Sequence, residues 1–106
     1  MMEAAVVMTT SCGSREEAER IAAALVGERL AACVQILPAT SVYRWRGAIE
    51  RAEEHVLLIK TRAVLAARVE TQVRALHRYE LPEVMSLAVV GGSSDYLGWI
   101  EAETDA

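Results

Sequence analysis

The amino-acid sequence predicts a mixed α+β fold in the element order βαββαβ, followed by one further helix. Three features support this prediction: apolar runs of strand length, two segments of helical periodicity between them, and a tight-turn dipeptide that separates two long strand-like stretches. The chain has 106 residues, of which 53% are hydrophobic and 25% charged. A single domain with an ordinary core is therefore expected over residues 1–106.

The first strand and the first helix are predicted over residues 4–10 and 15–29. The strand is a short apolar run that ends just ahead of Gly13. The helix opens on an S-x-x-E capping box, in which the Ser14 hydroxyl and the Glu17 carboxylate each accept a hydrogen bond from a free backbone N–H. Behind this box, apolar residues recur at helical spacing, namely Ala18, Ile21, Ala22 and Leu25.

A long β-hairpin is predicted over residues 30–61, with its turn at Arg46-Gly47 and a positive φ at the glycine. Pro38 interrupts the first strand, so we expect a bulge or a bend there, because proline cannot donate to a strand ladder. Residues 31–46 span about 50 Å when extended at ~3.3 Å per residue, whereas a compact chain of this length is roughly 33 Å across. The hairpin must therefore bend at the proline or project and offer its edge to another subunit.

The second half of the chain supplies a helix, a strand and a short helix. Thr61 is expected to cap the helix over residues 62–77, and Pro82 prevents any continuation of that helix. Residues 84–90 form an apolar strand, after which Ser93 is expected to cap the last helix. This order is that of a ferredoxin-like βαββαβ sandwich with an extra C-terminal helix and a long central hairpin.

Composition excludes several classes of protein. Fifteen acidic against eleven basic residues give a net charge of −4 without any basic block, which argues against binding to nucleic acid. No run of 18 apolar residues is present, so no insertion into a membrane is expected. The opening Met1-Met2-Glu3 is acidic rather than basic and predicts no signal peptide. Two cysteines in an unexported chain are then reduced thiols, and a cytoplasmic location is predicted.

His77 is the strongest candidate in the sequence for a ligand-binding residue. Tyr79, Glu80 and Glu83 follow it closely, and an imidazole with two carboxylates can bind a metal ion or a small polar ligand. The alternative is that His77 only interacts with the dipole at the C-terminal end of its helix. No activated nucleophile or acid–base pair can be placed in the sequence, so no enzymatic reaction is predicted.

The two cysteines are expected to differ in exposure. Cys33 lies between Ala32 and Val34 in an apolar strand, which predicts a buried, structural thiol. Cys12 is expected in a loop, where it is more exposed, reacts first and can bind soft metal ions. His55, beside two glutamates, is expected to be a solvated residue at a strand edge.

Five motifs, in order along the chain, resemble the signatures of the CutA (CutA1) divalent-cation tolerance proteins. They are Leu30-Ala31-Ala32-Cys33, Ser41-Val42-Tyr43-Arg44-Trp45-Arg46-Gly47, Lys60-Thr61, His77-Arg78-Tyr79-Glu80-Leu81-Pro82-Glu83 and Tyr96-Leu97-Gly98-Trp99-Ile100. The resemblance covers essentially the whole chain. It implies a ferredoxin-like, intracellular homotrimer that is linked to tolerance of copper and other divalent ions and has no assigned reaction.

The same resemblance implies an inter-subunit cleft at Tyr43, Trp45, Lys60 and Tyr79. A weak site for copper(II) or another divalent ion is predicted, with no obligatory cofactor, and its candidate ligands are His77, Glu80, Glu83 and Cys12. Arg78 departs from the family pattern, because it stands where the family has proline and places a positive charge beside any cation.

An alternative function remains open. A PII-like trimeric module, which regulates or scaffolds, would bind a small metabolite or a partner protein in the cleft. The chain lacks the long flexible loop expected of such a module, because only Arg46-Gly47 joins the two middle strands. This feature favours the metal-binding interpretation over the regulatory one.

Overall fold

The computed structural model describes residues 4–105 and contains the predicted elements in the predicted order. The opening Met1-Met2-Glu3, on which the signal-peptide prediction depends, lies outside the described residues. None of the helices in the described part of the chain is both long and apolar enough to cross a membrane. The elements are β1 (Ala5–Cys12), α1 (Arg15–Gly27), β2 (Cys33–Trp45), β3 (Ala48–Arg62), a 3₁₀ turn (Ala63–Leu65), α2 (Ala66–Leu76), β4 (Met85–Ala88) and α3 (Ser94–Glu103).

The four strands form one antiparallel sheet in the order β2-β3-β1-β4. Helices α1 and α2 cover one face, where Met8 and Ile59 of the central strands pack in a buried cluster with residues of both helices. Side chains alternate along a strand, so Lys60 lies on the other face, where its Nζ is 3.3 Å from the Tyr96 hydroxyl of α3. The predicted ferredoxin-like α+β fold is confirmed.

The β2–β3 hairpin projects from the body of the molecule, which measures 47 × 25 × 21 Å. Pairing continues without an extra residue from Cys33 opposite Lys60 to Trp45 opposite Ala48, so the bulge expected at Pro38 is wrong. Strand β2 lies at the edge of the sheet, where the missing N–H of a proline is tolerated. The turn prediction is confirmed, since Gly47 has a φ of 84° and Arg46 a φ of 51°, as a type I′ turn requires.

Two of the three predicted helix caps are present. The Ser14 hydroxyl accepts from the Glu17 N–H at 3.1 Å, and the Ser93 hydroxyl accepts from the Tyr96 N–H at 3.3 Å. Thr61 is not a cap, because its buried hydroxyl donates to the carbonyl oxygen of Leu30 at 2.7 Å. A 3₁₀ turn without any side-chain cap precedes α2 instead.

Large apolar side chains remain exposed along the hairpin, on β4 and just after it. They are Leu37, Val42, Ile49, Met85, Leu87 and Val90. Strands β2 and β4, the two edge strands of the sheet, both contribute to this set, and exposed apolar side chains on edge strands are typical of an interface.

Replacement of Thr61 by valine is expected to destabilise the protein by about 1–3 kcal/mol, because it leaves the buried Leu30 carbonyl without its donor. The measurement is chemical denaturation at a fixed protein concentration. Thr71→Val is the matched control, since the exposed Thr71 hydroxyl bonds to the Ala67 carbonyl, where water can replace it. Equal stabilities for the two variants would contradict the role given to Thr61.

Candidate functional site

The end of β1, the first turn of α1 and the residue after α2 meet at Cys12, Glu17 and His77. The ligand atoms of these three residues lie within 4.8 Å of one another. The Cys12 Sγ is 3.9 Å from the His77 Nε2, and a Glu17 carboxylate oxygen is 3.7 Å from the His77 Nδ1. Cys12 is fully buried, and the side chains of His77 and Glu17 are 0% and 3% exposed. We call these three residues the buried trio.

Both ring nitrogens of His77 are engaged in hydrogen bonds. The backbone N–H of Tyr79 donates to Nδ1 at 3.1 Å, so Nδ1 carries no proton in this arrangement. Nε2 therefore carries the proton and donates it to the carbonyl oxygen of Ser11 at 2.8 Å. These bonds assign a neutral tautomer and tie the segment after α2 to the end of β1.

Glu17 belongs to the site although sequence reasoning placed it elsewhere. Its carboxylate accepts a hydrogen bond from the backbone N–H of Arg78 at 2.7 Å, instead of returning to the start of its own helix. The capping-box spacing predicted a local role for this side chain, so nothing in the sequence connected it to a residue 61 positions away. Only the packing of α1 against the end of α2 brings the two together.

Cys12 is the last residue of β1, so the expectation that it lies exposed in a loop is wrong. Strand alternation places it on the helix-covered face with Met8, in the core. Burial raises the pKa of its thiol to about 12, and the negative charge of Glu17 acts in the same direction. Cys33, expected to be the buried thiol, is half-buried on the edge strand.

Glu80 and Glu83 lie outside the buried trio. Glu80 forms an exposed ion pair with Arg46 at the hairpin turn. The two oxygens of Glu83 accept from the hydroxyls of Thr9 at 2.6 Å and Ser11 at 3.3 Å. The described structure thus joins His77 to Cys12 and uses both later carboxylates to hold the 78–83 segment against β1 and the hairpin.

A cavity of about 720 Å³ lies between the projecting hairpin and the 78–83 segment. Tyr43, Trp45 and Tyr79, three of the four residues predicted for the cleft, line it. Lys60 does not line the cavity, because it lies beside Tyr96 of α3.

His55 is half-buried and lies in β3 opposite Cys12 and Pro38. Because β3 has a neighbouring strand on each side, the expectation that His55 lies at a strand edge is wrong.

Tyr79 is fixed in the cavity wall by a hydrogen bond that its hydroxyl donates to Glu54 at 2.8 Å. Burial and this bond raise the pKa of the phenol well above its ordinary value, so it remains a neutral donor. A Cβ at position 13 would lie 3.1 Å from the Tyr79 hydroxyl, so a larger residue than Gly13 would require the Tyr79 side chain to shift by a few tenths of an ångström. The glycine of the β1–α1 turn therefore permits the close approach of the ring.

The cavity and the buried trio share a wall. The Ser11 carbonyl oxygen accepts a hydrogen bond from His77, and the Ser11 hydroxyl donates one to Glu83. Ser11 also lines the cavity. The Tyr79 backbone N–H donates to His77, and the Tyr79 side chain lines the cavity. A change in the bonds of the imidazole therefore acts directly on two residues of the cavity.

Comparison with known proteins gives one consistent result. The family model described as CutA1 divalent ion tolerance protein matches residues 6–103. The divalent-cation tolerance protein CutA of Thermus thermophilus is 43% identical over 104 residues, which cover 97% of this chain and 99% of that protein.

Solved structures agree with the sequence comparison. CutA from Xylella fastidiosa superposes with a TM-score of 0.92 and 46% identity, covering 95% of this chain and 98% of that one. The periplasmic divalent cation tolerance protein CutA from Archaeoglobus fulgidus has a TM-score of 0.93 and 37% identity, covering 95% of this chain and 99% of that one.

In the native protein we expect a thiol reagent such as iodoacetamide to modify Cys33 before Cys12. Cys12 is buried and has a pKa of about 12, so little of the reactive thiolate forms at neutral pH. Its slow rate should rise about tenfold per pH unit as the pH increases toward that pKa, for as long as the fold persists. Peptide mass spectrometry of timed samples measures both rates, and faster modification of Cys12 would contradict the assigned burial.

Proposed function

This chain belongs to the CutA1 divalent ion tolerance family, and on that premise we propose that it is a homotrimeric tolerance protein that weakly binds a divalent cation at the buried trio. The cation is copper(II) or another divalent ion such as zinc. The single observation that supports this proposal is the convergence of thiol, imidazole and carboxylate donor atoms within 4.8 Å. No catalytic reaction is assigned.

The donor chemistry suits a borderline or soft divalent ion. Cysteine thiolate and histidine nitrogen are preferred ligands of zinc and copper, and a carboxylate can complete a three-ligand set that leaves one position open. Hard ions such as magnesium prefer all-oxygen sites and are poorly matched. Glu17 thus takes the place that sequence reasoning gave to Glu80 and Glu83, whose oxygens have other partners.

Weak affinity follows from the bonds that a cation has to replace. The Cys12 thiol must lose its proton, and a ring nitrogen of His77 must give up its bond to Ser11 or to Tyr79. Binding at Glu17 competes with the Arg78 N–H. The free energy of coordination is therefore offset by the loss of existing hydrogen bonds, and we expect micromolar affinity at best.

A homotrimer is the assembly we propose, and the exposed apolar residues support it. The hairpin projects, and two edge strands carry unpaired backbone groups beside large apolar side chains. Contact between subunits would pair these backbone groups and bury these apolar side chains. Cys33, on the edge strand β2, is proposed as a structural thiol, and a cytoplasmic location would keep both thiols reduced.

The second candidate function is a PII-like regulatory module that binds a small molecule. The cavity beside the hairpin favours it, since about 720 Å³ lined by aromatic and charged side chains can hold a metabolite. The two candidates are compatible, because they use different sets of side chains.

Cobalt(II) titration under reducing conditions tests the metal proposal. Binding at Cys12 should produce the charge-transfer absorption of a cobalt–thiolate bond, with a micromolar dissociation constant. Cys12→Ala should abolish this absorption, and His77→Ala should weaken binding about tenfold or more. Cys33→Ala and His55→Gln are matched controls that should bind as the parent does. Equal cobalt affinity and absorption in the parent and in Cys12→Ala would overturn the proposal.

Sedimentation equilibrium tests the assembly. The molar mass measured for the parent should be three times the chain mass of 11.6 kDa. Leu87→Glu places a charge on the exposed apolar edge strand β4 and should dissociate the trimer. Val26→Glu, at an exposed position on the solvent side of α1, is the control and should leave it intact. A stable parent monomer at micromolar concentration would contradict the trimer.

A further inference from the structure

We propose that the cavity between the hairpin and the 78–83 segment binds a small betaine-type zwitterion, a ligand with one quaternary ammonium group and one carboxylate. This inference rests on the second candidate function, for which it names the ligand class. It does not require that a cation binds at the buried trio.

Aromatic side chains form the part of the cavity that suits an ammonium group. Tyr43 and Trp45 are alternate residues of β2 and therefore lie on the same face of the strand, while Tyr79 contributes from the opposite wall. All three retain about two-fifths of their surface exposed, at 42%, 37% and 38%. The Arg46 guanidinium already lies 5.3 Å from the centroid of the Trp45 ring, so the ligand ammonium is assigned to Tyr43 and Tyr79. Exposed aromatic faces around a cavity attract cations through the ring quadrupole, and quaternary ammonium groups are bound in this way.

The carboxylates of the cavity favour a cation that donates no hydrogen bond. Glu54 accepts from the Tyr79 hydroxyl at 2.8 Å, and Glu80 pairs with Arg46. Glu83 uses both of its oxygens on the hydroxyls of β1. Glu54 and Glu83 have no cationic partner in these bonds, so they supply negative potential while their hydrogen bonds are already formed. A quaternary ammonium is attracted by that potential and needs no hydrogen-bond acceptor. A primary ammonium has to compete for the carboxylate oxygens with the hydroxyls that already donate to them.

Arg78 supplies the complementary charge for a carboxylate. It lines the cavity, is exposed, and within residues 4–105 its side chain has no described ion pair or hydrogen bond. Its backbone is held by the Glu17 carboxylate, which fixes the origin of the side chain. Arg78 faces three glutamates in the lining, of which Glu80 is already paired with Arg46. The other two carboxylates repel a polyanion such as a nucleoside triphosphate, whereas a single carboxylate is accommodated beside Arg78.

Isothermal titration calorimetry with four probes tests this ligand class. Glycine betaine should bind more tightly than choline, which lacks the carboxylate, than glycine, which carries a primary ammonium, and than ATP. Arg78→Gln should weaken betaine binding about tenfold and leave choline binding no weaker than in the parent. Arg74→Gln, which removes an exposed arginine on α2, is the matched control and should bind betaine as the parent does.

Variants of Tyr43 test the aromatic contribution. Tyr43→Leu should weaken both betaine and choline about tenfold, whereas Tyr43→Phe, which keeps the ring, should stay within about twofold of the parent. The parent should also bind betaine in the presence of EDTA, which separates this site from the metal proposal.

The possible contrary results separate the ligand class from the second candidate function. Tighter binding of ATP or glycine than of betaine, with loss in Tyr43→Leu, would overturn the ligand class and leave that function standing. Equal betaine affinity in the parent and in Arg78→Gln would overturn the role of the carboxylate. No binding of any probe would overturn the proposal.

Discussion

The candidate site depends on the hydrogen bonds of one buried imidazole. His77 donates to the Ser11 carbonyl at the end of β1 and accepts from the Tyr79 N–H after α2, so it joins two parts of the chain that are far apart in sequence. Its side chain is fully buried, and a broken bond leaves a polar group without a partner and without water. These two bonds hold Ser11, which precedes Cys12, and Tyr79, and both residues line the cavity.

Two of the proposed metal ligands, His77 and Glu17, also form hydrogen bonds that hold the fold together. A cation that enters the buried trio must exchange hydrogen bonds for coordinate bonds, so we expect the proposed binding to be weak and linked to local rearrangement. Ser11 and Tyr79 belong both to the imidazole network and to the cavity, which gives a direct contact path between the two proposed ligands. Tolerance by weak, reversible binding is consistent with such a site.

Local sequence patterns predicted most of the fold and only part of the site. The Ser14 cap and the turn at Gly47 are decided by neighbouring residues, so the sequence was sufficient for both. Thr61 and Glu17 each had a plausible local role as a cap, but tertiary packing gives them partners 31 and 61 positions away. Cys12 was misjudged because β1 runs two residues further than the apolar run and so places the thiol on the covered face.

X-ray absorption spectroscopy of the zinc-loaded protein identifies the ligand atoms themselves and therefore tests whether the buried trio binds the cation. Coordination at the buried trio predicts one sulfur scatterer at about 2.3 Å together with nitrogen or oxygen scatterers at about 2.0–2.2 Å. A first shell of oxygen and nitrogen alone, with no sulfur, would place the cation elsewhere and contradict the assignment of Cys12 as a ligand.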